Sequence, residues 1–457
     1  MASIWSCLRL CRLICYVAFV LLAWSDAARA DKAEWTFMVY MNAKNNLEAD
    51  ALANFREMAE VGGSDRVNVL VEFGRPKLHV TEEEEGWDGV LRFKVEQGQA
   101  PIPSAAIVDL RSDTPELSDM GSPRALQDFV SWSMQSYPAK KYMLVIWNHG
   151  QGWRFQMAKN QELSIAATTE LRFSDNETID ELKREARSTP AVGGYRTVSY
   201  DDDTGSFLYN SDIQAIVEAS FGGDKPKLDV IGFDACLMSM IETAYAFRNS
   251  TSLLVSSEEL EPGAGWNYVP IVKALVSNPE TTPMQLSEVI VAGYEARFGN
   301  SRSTTLSILD LEKADTTAKS VSAFAGALMA ALPAENNHVK NARAKMTPYG
   351  ASEGLRTSVD LVTFLDNYTA RTENAELKKV AEAAKAAIRQ LVLLNYASNP
   401  SKKHTGAEGV AIYFPESKIH FFADTYHEGY LKANTDHVVD FVAKELWADL
   451  LAKYLEL

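Results

Sequence analysis

The chain has 457 residues, 46% of them apolar and 23% charged, a globular composition whose length suits two or three domains. Lys and Arg number 45 against 61 Asp and Glu, a formal charge of -16, which argues against a phosphate-binding surface and leaves no nucleic acid expected as partner. Four cysteines, at 7, 11, 15 and 236, can build neither a disulfide framework nor a multi-Cys zinc site.

The chain opens with Arg9 and Arg12, an eleven-residue apolar run from Ile14 to Trp24, and the small-x-small site Ala28-Arg29-Ala30. Residues 1–30 therefore read as a signal peptide, with export to a periplasm or the outside. The run falls short of the roughly 20 residues of a spanning helix, so no stable membrane anchor is expected after cleavage. Cleavage would leave Cys236 as a lone thiol in an oxidising compartment, either inert and buried or reactive.

From 31 to 300 short apolar runs alternate with amphipathic stretches, the pattern of an α/β layer fold around a mostly parallel sheet. Strands are predicted at Trp35–Met41, Val67–Phe73, Tyr142–Trp147, Leu228–Phe233 and Leu253–Ser257, with an added hairpin at Gly89–Val95. Helices are predicted at Leu47–Ala59, at Arg124–Ser136 after Ser122-Pro123, at Ser211–Phe221 and at Leu237–Arg248. Residues 152–198 read as a long exposed insertion carrying seven basic residues. A strand at Thr304–Leu309 follows, and residues 301–457 are otherwise mostly helical text, a C-terminal subdomain with one late strand at Val410–Phe414.

Two predicted strands end in reactive side chains: one delivers His149, the other Asp234 and Cys236. Ligand sites in open parallel sheets lie beyond the carboxyl ends of the strands, so both could face one crevice. An imidazole there can take the proton of a thiol, and the thiolate attacks an acyl carbon. A helix starting at Leu237 would favour charge on that sulfur. The N-H groups of Gly150 and Cys236 could hold an oxyanion. From these residues alone the alternatives stay open: His149 as a surface histidine, Cys236 as core filler, Asp234 as a helix N-cap.

The ordered set Phe37-Met38-Val39-Tyr40-Met41-Asn42-Ala43, Trp147-Asn148-His149-Gly150-Gln151-Gly152-Trp153, Ser199-Tyr200-Asp201-Asp202, Gly232-Phe233-Asp234-Ala235-Cys236-Leu237-Met238-Ser239, Glu261-Pro262-Gly263-Ala264-Gly265-Trp266 and Ile412-Tyr413-Phe414-Pro415 resembles the clostripain family of caspase-like cysteine peptidases. The resemblance spans nearly the whole chain after the leader. It implies a caspase-like three-layer α/β/α sandwich and an endopeptidase with Cys236 as nucleophile and His149 as base, needing no metal for bond breaking. It makes Asp234 the acid of a pocket for Arg or Lys side chains, so the expected partners are proteins or peptides with basic residues. Glu258 and Glu259 would add negative potential there. It implies self-cleavage between the His and Cys strands, with Lys183, Arg184 and Arg187 as candidates. Calcium is reported for some relatives; Asp201-Asp202-Asp203 could bind a hard cation but matches no EF-hand spacing. The contrasting reading is a catalytically silent module that binds proteins of the cell envelope through the same crevice.

Overall fold

The computed structural model describes residues 32–77, 81, 83–111, 115–153, 200–299, 302–424 and 426–457. The leader at 1–30, nearly all of the 152–198 insertion and the candidates Lys183, Arg184 and Arg187 lie outside them.

The strands are β1 (Ala33–Asn42), β2 (Val67–Arg75), β3 (Gly89–Lys94), β4 (Val108–Asp109), β5 (Ala139–Trp147), β6 (Leu228–Asp234), β7 (Thr251–Ser256), β8 (Thr305–Asp310), β9 (Ser358–Asp360), β10 (Val392–Ala397) and β11 (Ala411–Tyr413). Nine form one sheet in the order β10-β8-β7-β6-β5-β1-β2-β3-β4. Its five central strands β7, β6, β5, β1 and β2 are mutually parallel, and antiparallel strands close both edges. Parallel strands buried on both faces need apolar residues at every position, and the ten residues of β1 are all buried.

Alternation along β1 sends Met38 and Tyr40 to one face and Phe37, Val39 and Met41 to the other, where each joins a separate apolar core. Helices Glu48–Val61, Tyr268–Ser277 and Pro283–Phe298 cover the second face. Helices Pro123–Ser136, Asn210–Ser220, Ile241–Phe247 and Ala314–Ala331 cover the first, joined there by the helices near the C-terminus. The result is the α/β/α sandwich with a mostly parallel centre that the sequence predicts. At Pro123–Ser136 the predicted start is met: the Ser122 hydroxyl accepts the Arg124 N-H at 3.3 Å, and proline takes a position that has no hydrogen bond to lose.

Three expectations need correction. The helix predicted from Leu237 begins at Ile241, because Leu237 adopts a left-handed φ of 63° and residues 235–240 form a turn. No helix N-terminus therefore abuts Cys236, and Asp234 ends a strand and caps no helix. After 300 the strand predicted at Thr304–Leu309 is met by β8, but β10 was not expected; both extend the main sheet, and that part shares its core. The late strand, β11, pairs with β9 in a separate two-stranded sheet.

Candidate active site

Parallel β1, β5, β6 and β7 end on the same edge of the sheet. Trp147 of β5 is the register partner of Asp234 of β6. His149 and Cys236 each stand two residues beyond that pair, on adjacent strand ends. Gly150 fixes the approach, since a Cβ on it would lie 2.3 Å from the Cys236 carbonyl oxygen and 3.0 Å from its nitrogen. Only glycine lets the two turns pack backbone to backbone.

Asparagines stitch the strand ends together. Asn148 donates to the Asn42 carbonyl at 2.7 Å, and Asn45 donates to the Asn148 side-chain oxygen at 3.1 Å and to the Tyr200 carbonyl at 3.0 Å. Asn148 turns its Oδ1 onto the N-H of His149. The His149 Nε2 meets Asn46 Oδ1 at 3.0 Å. An amide oxygen only accepts, so this contact assigns the proton to Nε2 and the lone pair to Nδ1. Asn46 was not singled out as a site residue by sequence reasoning; its place four residues beyond the end of β1 was the available signal.

Asp201 and Asp203, considered above for a hard cation, flank the buried ammonium of Lys44 at 3.1 Å each, while Asp202 donates its N-H to the Lys44 carbonyl at 2.8 Å. Among the described residues no group of three or more His, Cys, Asp or Glu side chains could hold a metal ion.

Cys236 is half-buried. Its sulfur accepts the Glu261 N-H at 3.2 Å, and its thiol faces the Glu261 carbonyl at 3.8 Å. Burial pushes the thiol up to about 12, and the charges of Glu261 and Glu259 act in the same direction against the N-H groups of Glu261 and Gly150. In this conformation the sulfur is a thiol.

Beneath it, Asp234 is buried and accepts the Trp266 N-H at 3.1 Å and the Tyr268 hydroxyl at 2.8 Å. Burial raises it to about 6 although these donors oppose the shift. A Cβ on Gly265, at φ +57°, would come within 2.7 Å of the Asp234 carboxylate, so the Gly263-Ala264-Gly265 turn closes tightly over it. The carboxyl of Glu261 lies within hydrogen-bonding reach of Asp234, both its oxygens shielded from solvent. Sequence reasoning had quoted Glu261 only as part of a motif; an acid followed by Pro-Gly-Ala-Gly marks a carboxyl on a turn tight enough to face inward.

Glu258 departs from expectation, whereas Glu259 keeps its charge near the Cys236 sulfur while its carboxyl is held by the scaffold. The Glu258 carboxyl pairs with Asp360 and accepts the Gly409 N-H at 2.9 Å, so it faces the C-terminal part. Glu259 accepts the N-H groups of Leu260 at 2.9 Å and Gly350 at 2.8 Å. Buried carboxylates are stable only when so satisfied, and these partners direct both acids into the scaffold.

With this geometry on the page, comparison with known proteins becomes decisive: a model of the clostripain family matches residues 39–184 and 185–454. The chain belongs to the clostripain family. It is 22% identical over 443 residues to clostripain of Hathewaya histolytica, an alignment covering 83% of this chain and 74% of that protein. Among solved structures it resembles an inactive zymogen C11 protease from Parabacteroides distasonis, with a TM-score of 0.55, 18% identity, and 84% and 92% of the two chains covered. It also resembles a secreted C11 cysteine protease from Bacteroides thetaiotaomicron held with an irreversible peptide inhibitor, with a TM-score of 0.54, 16% identity, and 92% and 99% covered. These likenesses show a shared fold. As a clostripain-family member the chain is a cysteine endopeptidase, and its substrates are proteins or peptides. Among the described residues no helix is long and apolar enough to cross a membrane.

Proposed function

We propose that this clostripain-family peptidase cuts after Arg or Lys with Cys236 as nucleophile and His149 as base. The observation that carries the reading is the Trp147–Asp234 register with Gly150 packed on Cys236, which gives the imidazole and the thiol one crevice.

In the first step the thiol proton passes to His149 Nδ1, the ring nitrogen opposite the Asn46 contact, as the sulfur attacks the scissile carbonyl. The carbonyl π pair becomes an oxyanion, which the N-H groups of Gly150 and Cys236 are suited to hold. The imidazolium returns its proton to the leaving amine, and the C–N bond breaks. Water, deprotonated by His149, then releases the acyl group from sulfur. No step calls on a metal. Asp201 and Asp203 are spent on Lys44, so calcium at that run would have to displace an ammonium.

Asp234 receives the basic side chain of the substrate. The basic preference is inferred from that buried acid and from kinship with clostripain. Self-cleavage after Lys183, Arg184 or Arg187 is the maturation step that this reading expects. Export through residues 1–30 fits the secreted relative.

The test compares wild-type protein with Cys236→Ala on fluorogenic peptides ending in Arg, Lys, Asp or Leu, with sequencing of new N-termini. Turnover of Arg or Lys peptides and new ends within 154–199, both absent in the variant, are expected. Turnover that survives the substitution removes Cys236 as nucleophile, and a folded wild type with no turnover favours the silent binding module.

A further inference from the structure

Two other buried acids on the sheet side are paired with arginines. Glu48 holds the buried Arg75, and Glu72 holds Arg92 at 2.5 Å. Among the described residues no salt bridge reaches Asp234 or Glu261. Arg297 acts on Asp234 from a distance, its guanidinium paired with Glu57 and donating to the carbonyls of Ala264 at 2.8 Å and Trp266 at 3.0 Å. Its effect on Asp234 is the smallest of the influences acting there.

The groups about the pair are polar and buried. From helix Pro283–Phe298 comes Tyr294, completely buried, whose hydroxyl has no hydrogen-bond partner. After burial itself, its ionisation is opposed first by Glu261, then by Asp234 and Cys236. From the start of helix Tyr268–Ser277 comes the Tyr268 hydroxyl, already given to Asp234. On the outer side Asp50 lies under Gly263 of the same loop, and Glu259 adds its charge near the sulfur. His149 borders the crevice from β5. Buried carboxyls beside an unpartnered tyrosine hydroxyl also occur at Glu258, Asp360 and Tyr349; what marks Asp234 and Glu261 is their place around Cys236, whose sulfur accepts the Glu261 N-H.

Building on the basic-specific reading above, we propose that Glu261 is a second specificity-determining acid, which shares one proton with Asp234 in the empty enzyme and gives it up when a substrate guanidinium or ammonium enters. Two carboxyls in contact out of water cannot both be charged without a cation. The Trp266 side chain and the Ala235 amide favour the charged form of Glu261, yet burial and Asp234 outweigh them and hold it well above the carboxylate range. An arriving cation makes two ionised acids the favoured state, and the displaced proton leaves to solvent. The sign follows: acid pH keeps the proton on the pair and opposes the basic side chain, so preference for it rises with pH.

The test follows kcat/KM from pH 5 to 8 for two peptides that differ only in arginine or its neutral isostere citrulline before the cut. Ionisations of Cys236 and His149 affect both peptides and cancel in the ratio. The arginine-to-citrulline ratio is expected to rise with pH in the wild type. Glu261→Gln should lower the ratio at pH 8 at least tenfold, mostly through KM for arginine, and abolish the rise; Glu261→Asp should restore part of it. A flat wild-type ratio, or a ratio unchanged in Glu261→Gln, overturns the proposal while leaving Asp234 as the acid. A ratio near one in both wild type and Asp234→Asn overturns the basic-specific reading itself. Should Glu261→Gln not fold, the wild-type profile and Glu261→Asp still decide.

Discussion

Two buried carboxyl pairs share one stretch of chain, Glu258 with Asp360 and Glu261 with Asp234, and they are satisfied differently. The first is surrounded by amides: Asp360 accepts the N-H of Thr363 at 2.6 Å and of Glu408 at 2.8 Å, and Glu258 that of Gly409. Those donors belong to a helix start and a strand approach, so that pair joins the C-terminal part to the sheet. The second has Trp266 N-H and a tyrosine hydroxyl on one member, an unsatisfied hydroxyl nearby, and a sulfur above it. Three residues apart along the chain, identical chemistry serves scaffold in one case and crevice in the other. What separates them is the number of backbone donors, Thr363, Glu408 and Gly409 at the first against Trp266 and Ala235 at the second, and the sulfur beside the second.

The contrast can be broken most severely at Asp234. Asp234→Asn should cut kcat/KM for arginine peptides by about a hundredfold, equivalent to about 3 kcal/mol, with little loss in the urea midpoint. Loss of folding in place of loss of specificity would make this pair scaffold too. Next in size, Asp360→Ala removes a helix cap and strands two buried N-H groups. It should cost about 2–4 kcal/mol in urea unfolding, while the folded enzyme assayed in the cold keeps its arginine preference.

A gentler probe is pH. Asp360 is raised to about 6 and Glu258 well above the usual range, burial being the first cause in each. A raised acid holds its proton more tightly when folded. The stability it contributes is therefore complete below the ordinary carboxylate range and is lost as pH rises through the raised value. Unfolding midpoints should fall from pH 5 to 8, and Glu258→Gln, which fixes the neutral form, should flatten that fall by about 1–2 kcal/mol. The smallest effect concerns the neighbouring strand end: Asn46→Ala should lower kcat about tenfold with KM kept, by releasing His149 Nε2, and a pH-rate profile should shift with it.

Much of this was legible in the sequence where periodicity is strong. The central strands, the helix after Ser122-Pro123 and the crevice from His149 and Cys236 follow from apolar runs that end in turn residues. The turn at 235–240 was not legible, because Leu237-Met238-Ser239 reads as helix until its left-handed backbone is seen. Nor was β10, an edge strand whose Val392-Leu393-Leu394 continues the apolar text of the preceding helix. Glu258 and Glu259 could not be separated from Glu261 by composition. Their directions are set by Gly409 and Gly350, more than 90 residues later in the chain, and long-range partners leave no local periodicity.

The β5–β6 ladder has an outcome for the molecule after any cut between 154 and 199. Five register pairs from Met143–Val230 to Trp147–Asp234 would join the two resulting polypeptides, with β1 to β5 on one and β6 to β11 on the other. His149 would belong to the first and Cys236 to the second. The mature enzyme would be a noncovalent heterodimer whose crevice straddles its own subunit boundary, two bands in detergent and one particle in buffer.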